Sequence, residues 1–220
     1  MARRKPAIAS PHAVQQIVPT VIEFLLDETG SMASCKQATI AGFNDFLAEQ
    51  QNQAGQCLFS LTKFDTNGQR TPYVDLDVNM VPSMNPNWFI PGSSTNLRDT
   101  IGTRISSLRE RLKSWTVKPN VLVVVMTDGG DNASISYSED MIRQALAQHM
   151  ETNWSFVYLG ADQAANMIAT RLGFPEGNIK SFASSRMRET MQDLSTATTA
   201  YRAARAGSST AQAATRQFFG

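Results

Sequence analysis

Cysteine is nearly absent: Cys35 and Cys57 are the only two in 220 residues, and they form no C-x-x-C pair. A disulfide framework is therefore excluded, and two free thiols suit a reducing compartment. Histidine is equally rare, with His12 and His149 alone, so the sequence offers no His or Cys cluster of the kind that holds zinc. Net charge is close to zero, at +1, which removes the global basic field that would argue for nucleic acid. Long apolar runs are missing too. The longest, Val121–Met126, is far too short to span a bilayer. The basic start Arg3-Arg4-Lys5 has no apolar stretch behind it and does not read as a secretory signal. The chain is thus expected to be soluble and cytoplasmic, with no nucleic-acid or membrane partner.

What the chain does contain fits a globular protein: 42% hydrophobic and 18% charged residues, enough for a sizeable core. Residues 1–16, with Pro6 and Pro11 and no regular period, read as an N-terminal arm. Residues 17–183 alternate strand and helix signals. Val18–Leu26 is an apolar run expected as a buried strand. Ile40, Phe43, Phe46 and Leu47 recur at helical spacing and predict an amphipathic helix over 35–52. Leu58–Phe64 alternates apolar and polar residues, as a half-exposed strand does. Asn67-Gly68 supplies a hairpin turn into a second strand, Tyr73–Val78. The stretch 79–94, with Pro82, Pro86 and Pro91, predicts a long irregular loop, a common place for function. Leu97, Ile101, Ile105, Leu108 and Leu112 mark a helix. Val121–Met126 is a strand buried on both faces. A helix from Ser138 to His149 with Ser138 as N-cap, a strand Trp154–Leu159, a helix Ala161–Leu172 and a short strand Ile179–Phe182 follow. Residues 184–220 are expected to hold one helix, 186–206, and a flexible or partner-bound tail. The pattern predicts an α/β fold: a doubly wound, mostly parallel Rossmann-like sheet with one antiparallel edge hairpin.

In such sheets ligands sit beyond the carboxyl ends of the strands. Two buried strands end there in an aspartate, Asp27 and Asp128. An unpaired buried carboxylate costs several kcal/mol, and two adjacent ones repel unless a cation lies between them. Thr29 and Ser31 follow Asp27 at alternate positions, with Gly30 easing the turn between them. Thr95 follows the long loop. Two carboxylates, three hydroxyls and water form an all-oxygen set suited to Mg²⁺, or to Mn²⁺.

These strings resemble a known family. Asp27-Glu28-Thr29-Gly30-Ser31-Met32 is similar to the Asp-x-Ser-x-Ser motif of von Willebrand factor A domains. Ser93-Ser94-Thr95-Asn96-Leu97 resembles their second loop and Thr127-Asp128-Gly129-Gly130 their third, in the same order and at the same strand ends. Together these make up the family's metal-ion-dependent adhesion site. The resemblance covers roughly residues 17–183. It implies direct metal contacts from Thr29 or Ser31 and from Thr95, with Asp27 and Asp128 acting mainly through water. One coordination position is then left for a carboxylate from a protein partner. Thr29 departs from the serine often found there but keeps the hydroxyl. Phe156–Gln163 and Gly173-Phe174-Pro175 resemble the small stand-alone bacterial and bacteriophage members.

The expected function is therefore a metal-dependent protein-binding module and not an enzyme. The alternatives are a structural subunit of a larger assembly such as a phage virion, docking through its termini, and a metal-dependent phosphohydrolase. Against the last, Thr29 stands where a second aspartate would be needed, and no P-loop or G-x-S-x-G elbow occurs. Asp65, Asp99 and Asp131 are placed near the same edge, either as support for the site or as turn and cap residues. Glu28 is expected to face solvent, Trp88 and Phe89 to pack on the sheet, and His149 to end a helix.

Overall fold

The computed structural model describes residues 18–161, 163–206 and 216–220. The arm at 1–16 and residues 207–215 of the tail lie outside them. The sheet has six strands: β1 (Thr20–Asp27), β2 (Cys57–Asp65), β3 (Gly68–Asp77), β4 (Asn120–Thr127), β5 (Trp154–Gly160) and β6 (Ile179–Ser181). Their order is β3-β2-β1-β4-β5-β6. Every pairing is parallel except β2–β3, the antiparallel hairpin turned at Asn67-Gly68. Gly68 takes a φ of 133° there, a left-handed value that a side chain would oppose.

Five helices cover the sheet: α1 (Lys36–Gln51), α2 (Leu97–Leu112), α3 (Glu139–Met150), α4 (Gln163–Leu172) and α5 (Met187–Arg205). The period-2 alternation of β1 sorts the core into two layers. Ile22, Phe24 and Leu26 face α1 and α5, while Val21 and Leu25 face α2 and its neighbours. Among the described residues no helix is long and apolar enough to cross a membrane.

Two expectations change. β2 is buried along nearly its whole length, not half-exposed, because β1 and β3 flank it and helices cover both faces. Its polar residues find partners inside: Ser60 Oγ accepts the Asp75 N–H at 2.9 Å, and Thr62 meets Thr71 at 3.1 Å. The C-terminal end is not loose at residues 216–220. Phe218 is buried against Tyr201, with ring centroids 5.8 Å apart. The Phe218 N–H donates to Asn178 Oδ1 (2.9 Å) and the Phe219 N–H to Gly177 O (3.1 Å).

Candidate metal centre

Asp27 is the last residue of β1 and Thr127 the last of β4, its parallel neighbour, so the pairing itself sets Asp27 and Asp128 side by side. Asp27 is fully buried. Its Oδ1 accepts the Thr29 N–H at 2.7 Å, a tight turn that aims the next residues back over the strand end. Its Oδ2 accepts the Thr127 hydroxyl. Thr29 Oγ1 and Ser31 Oγ lie 3.2 Å apart, and Ser31 donates to Asp128 Oδ1 at 2.6 Å. Thr95 arrives from the second loop, just before α2. A methyl carbon placed on Gly129 would stand 3.7 Å from Thr95 Oγ1 and 3.9 Å from Ser31 Oγ. The five residues singled out in the sequence thus stand at one edge, with Gly129 between Thr95 and Ser31.

Backbone hydrogen bonds staple the three loops together. The Gly92 N–H donates to Glu28 O (2.9 Å) and the Gly30 N–H to Ser93 O (3.2 Å). On the other side, the Asn132 and Ala133 N–H groups donate to Thr95 O (3.1 and 3.0 Å), and Asn132 Oδ1 accepts the Thr95 N–H (2.8 Å). Thr95 is therefore held from both directions rather than capping α2.

Burial pushes the Asp27 carboxyl up to about 6; hydrogen bonds from Thr127 and Thr29 oppose the rise, and the charge of Asp128 adds to it. Burial also raises Asp128, against the bond from Ser31. Among the described residues, neither carboxylate has a lysine or arginine close enough to lower it. The described residues contain no group of three or more His, Cys, Asp or Glu side chains suited to a metal. A cation here would rest on two carboxylates and hydroxyls, an all-oxygen set that fits a hard dication.

Glu28 is not solvent-facing: it is 1% exposed. The hairpin and the loop that follows it supply its partners. Oε1 accepts from Lys63 Nζ (3.1 Å) and the Ile90 N–H, and Oε2 from Arg70. Asp65, Asp99 and Asp131 serve the loops. Asp65 accepts the Asn67 N–H (2.8 Å) in the hairpin turn. Asp99 accepts the N–H groups of Ile135, Ser136 and Tyr137, each at 2.9 Å. Asp131 accepts from Arg98 N (2.7 Å) and Ser134 N (3.0 Å). Phe89 is buried as expected, whereas Trp88 is 44% exposed. His149 lies in the last turn of α3 and stacks on Trp154 at 4.3 Å. Sequence reading missed Thr127 and Asn132. A hydroxyl closing an otherwise apolar strand was the available signal for Thr127; Asn132 gave none.

No family model matches the sequence, and a search of curated proteins finds no match. Among solved structures, the chain is similar to proximal thread matrix protein 1 from the mussel byssus. That match has a TM-score of 0.54 and 16% identity, over 80% of this chain and 47% of that one. A second structure of the same protein, with a zinc-occupied MIDAS motif, matches at a TM-score of 0.53. The pilus adhesin SpaC from Lactobacillus rhamnosus GG, in its open conformation, matches at a TM-score of 0.61 and 11% identity, over 83% of this chain and 30% of SpaC. The chain spans about half the length of the mussel protein (47%). These likenesses are of fold: the chain has a von Willebrand factor A-like α/β fold.

Proposed function

We propose that this chain is a divalent-cation-dependent protein-binding module. Mg²⁺ or Mn²⁺ would be held at the edge formed by Asp27, Thr29, Ser31, Thr95 and Asp128. The observation that carries the reading is that two carboxylates without cationic partners among the described residues share one sheet edge with the hydroxyls of Thr29 and Ser31, and that Ser31 and Thr95 both stand within 4 Å of a methyl carbon placed on Gly129. When bound, the dication neutralises both carboxylates and offers a coordination position to an acidic side chain of the partner. Ser31 gives its proton to Asp128, which leaves its oxygen lone pairs for a cation. Asp27, engaged on both oxygens, orients the Thr29 turn and Thr127. That engagement also argues against a nucleophilic role in phosphate-ester hydrolysis, because a buried oxygen already accepting a hydrogen bond is a poor attacking group.

Calorimetric titration of Mg²⁺, Mn²⁺ and Zn²⁺ into the protein and into Asp128→Ala tests the site. Zinc is included because the mussel protein's MIDAS motif holds it. The expected result is one ion per wild-type chain and at least about a tenfold loss of affinity in the variant. Equal titration of the two proteins would defeat the assignment. Pull-downs with and without EDTA then test whether partner capture follows the cation.

A further inference from the structure

Beside the proposed metal edge, the β2–β3 hairpin and the loop from Pro82 to Gly92 enclose a cleft of ≈ 940 Å³. Phe43, Leu61 and Met84 line it from the core side. Tyr73 and Trp88 line it with their rings tilted and centroids 6.4 Å apart. The cleft is tied to the metal edge through the chain. Glu28, on its wall, directly follows Asp27, and the loop that closes it is bonded to the metal loops through Gly92–Glu28 (2.9 Å) and Ser93–Gly30 (3.2 Å). At the rim Ile90 is 66% exposed and Trp88 44%. Apolar surface of this kind beside a binding edge marks a contact site.

The charges of the cleft decide what it can take. Its lining holds two cations, Lys63 and Arg70, and two carboxylates, Glu28 and Asp65. They are spent on each other: Glu28 pairs with Lys63 and Arg70, and Asp65 with Arg70. A charged occupant would find no unpaired counter-charge there, whereas a neutral apolar one would cover the exposed Trp88 and Ile90 without stranding an ion. The Tyr73 hydroxyl is buried and has no hydrogen-bond partner among the described residues.

We infer that this cleft receives a bulky uncharged side chain, aromatic before aliphatic, that stands near the carboxylate captured at the metal edge. The partner segment is then acidic-plus-aromatic, not merely acidic. This inference rests on the metal-binding reading above, and its test separates the two.

The probe is a panel of labelled synthetic peptides. Each carries one aspartate in a glycine–serine background, with a single tryptophan placed at successive distances on either side, beside a control with glycine in its place. Binding to the full chain is followed by fluorescence anisotropy in Mg²⁺, in Mn²⁺ and in EDTA. One tryptophan spacing is expected to bind about tenfold or more tighter than the glycine control, in metal only. That advantage should vanish in the double variant Trp88→Ser/Ile90→Ser, whose own metal titration shows whether the edge is intact. All peptide binding should vanish in Asp128→Ala. Equal, metal-dependent binding of tryptophan and glycine peptides would overturn the cleft inference and leave the metal reading standing. Tryptophan-selective binding that persists in EDTA and in Asp128→Ala would overturn the metal reading, and with it the claim of a joint site. Binding of no peptide in any condition would overturn both.

Discussion

Buried carboxylates in and around β1 are treated in two opposite ways. Glu23, fully buried in the middle of the strand, receives Arg104 and Arg111, each at 2.8 Å. Glu28, just beyond its end, receives Lys63 and Arg70. Asp27, between them and equally buried, receives N–H and hydroxyl groups of Thr29 and Thr127 but no cation among the described residues, and its neighbour Asp128 receives the Ser31 hydroxyl. The chain therefore has cations available at this sheet and places them on the two glutamates. The aspartates are left raised by burial, and Asp27 also by the charge of Asp128. Charge satisfied from within belongs to the scaffold. Charge left for something external to satisfy belongs to a binding site.

The contrast can be broken first at Glu23. Glu23→Ala strands Arg104 and half of Arg111 in the core and is expected to cost about 3–5 kcal/mol in urea unfolding, with or without Mg²⁺. A cost that disappears on adding Mg²⁺ would show that Glu23 is linked to the site. Asp27→Asn should do the reverse. A carboxyl raised from 3.8 to about 6 destabilises the fold by up to about 3 kcal/mol near neutral pH. Removing that charge should stabilise the cation-free protein while abolishing the Mg²⁺ response. The same shift fixes a pH dependence. The folded chain binds more protons than the unfolded one between pH 3.8 and about 6, so stability without cation falls as pH rises through that window. Mg²⁺ should flatten this slope, and Mg²⁺ affinity should decline as pH drops below about 6. Thermal melts across pH, with and without Mg²⁺, read all of this. The smallest effect is expected at Arg70, whose side chain is 45% exposed. Arg70→Ala leaves Glu28 with Lys63 and the Ile90 N–H and should cost about 1 kcal/mol or less.

Much of the architecture was readable because strands and helices announce themselves through local period. The apolar run at Val121–Met126 and the heptad-like stripe of Leu97–Leu112 are such signals. The convergence of Asp27, Thr29, Ser31, Thr95 and Asp128 was readable for a related reason: parallel strands place all their carboxyl ends on one edge, so strand-end polar residues in several loops must meet. What was not readable depends on long-range pairing. Glu28 is buried because Lys63 and Arg70 come from a hairpin whose register no local pattern fixes. β2 looked half-exposed because Ser60, Thr62 and Lys63 are polar, yet each has a partner from another segment. Glu23 gave a signal that went unused. A charge inside an apolar strand needs a counter-charge, and Arg104 and Arg111 stand seven residues apart on the inner stripe of α2. The docked Phe218 was likewise hidden in a stretch of alanine, serine and threonine whose composition spoke louder than its two aromatics.

The strand order has a consequence for synthesis. The earliest strand of the sheet to leave the ribosome, β1, is a central one, and β2 and β3 build outward from only one of its sides. Its other side stays uncovered until β4 is made, and Thr127 reaches Asp27 across 100 positions of chain. The binding edge therefore comes into being in one stroke, when the two halves of the sheet meet. A nascent chain that has Asp27 but not yet Asp128 has no cation site to offer. On the proposed reading, partner capture would be withheld until the domain has closed around its own centre.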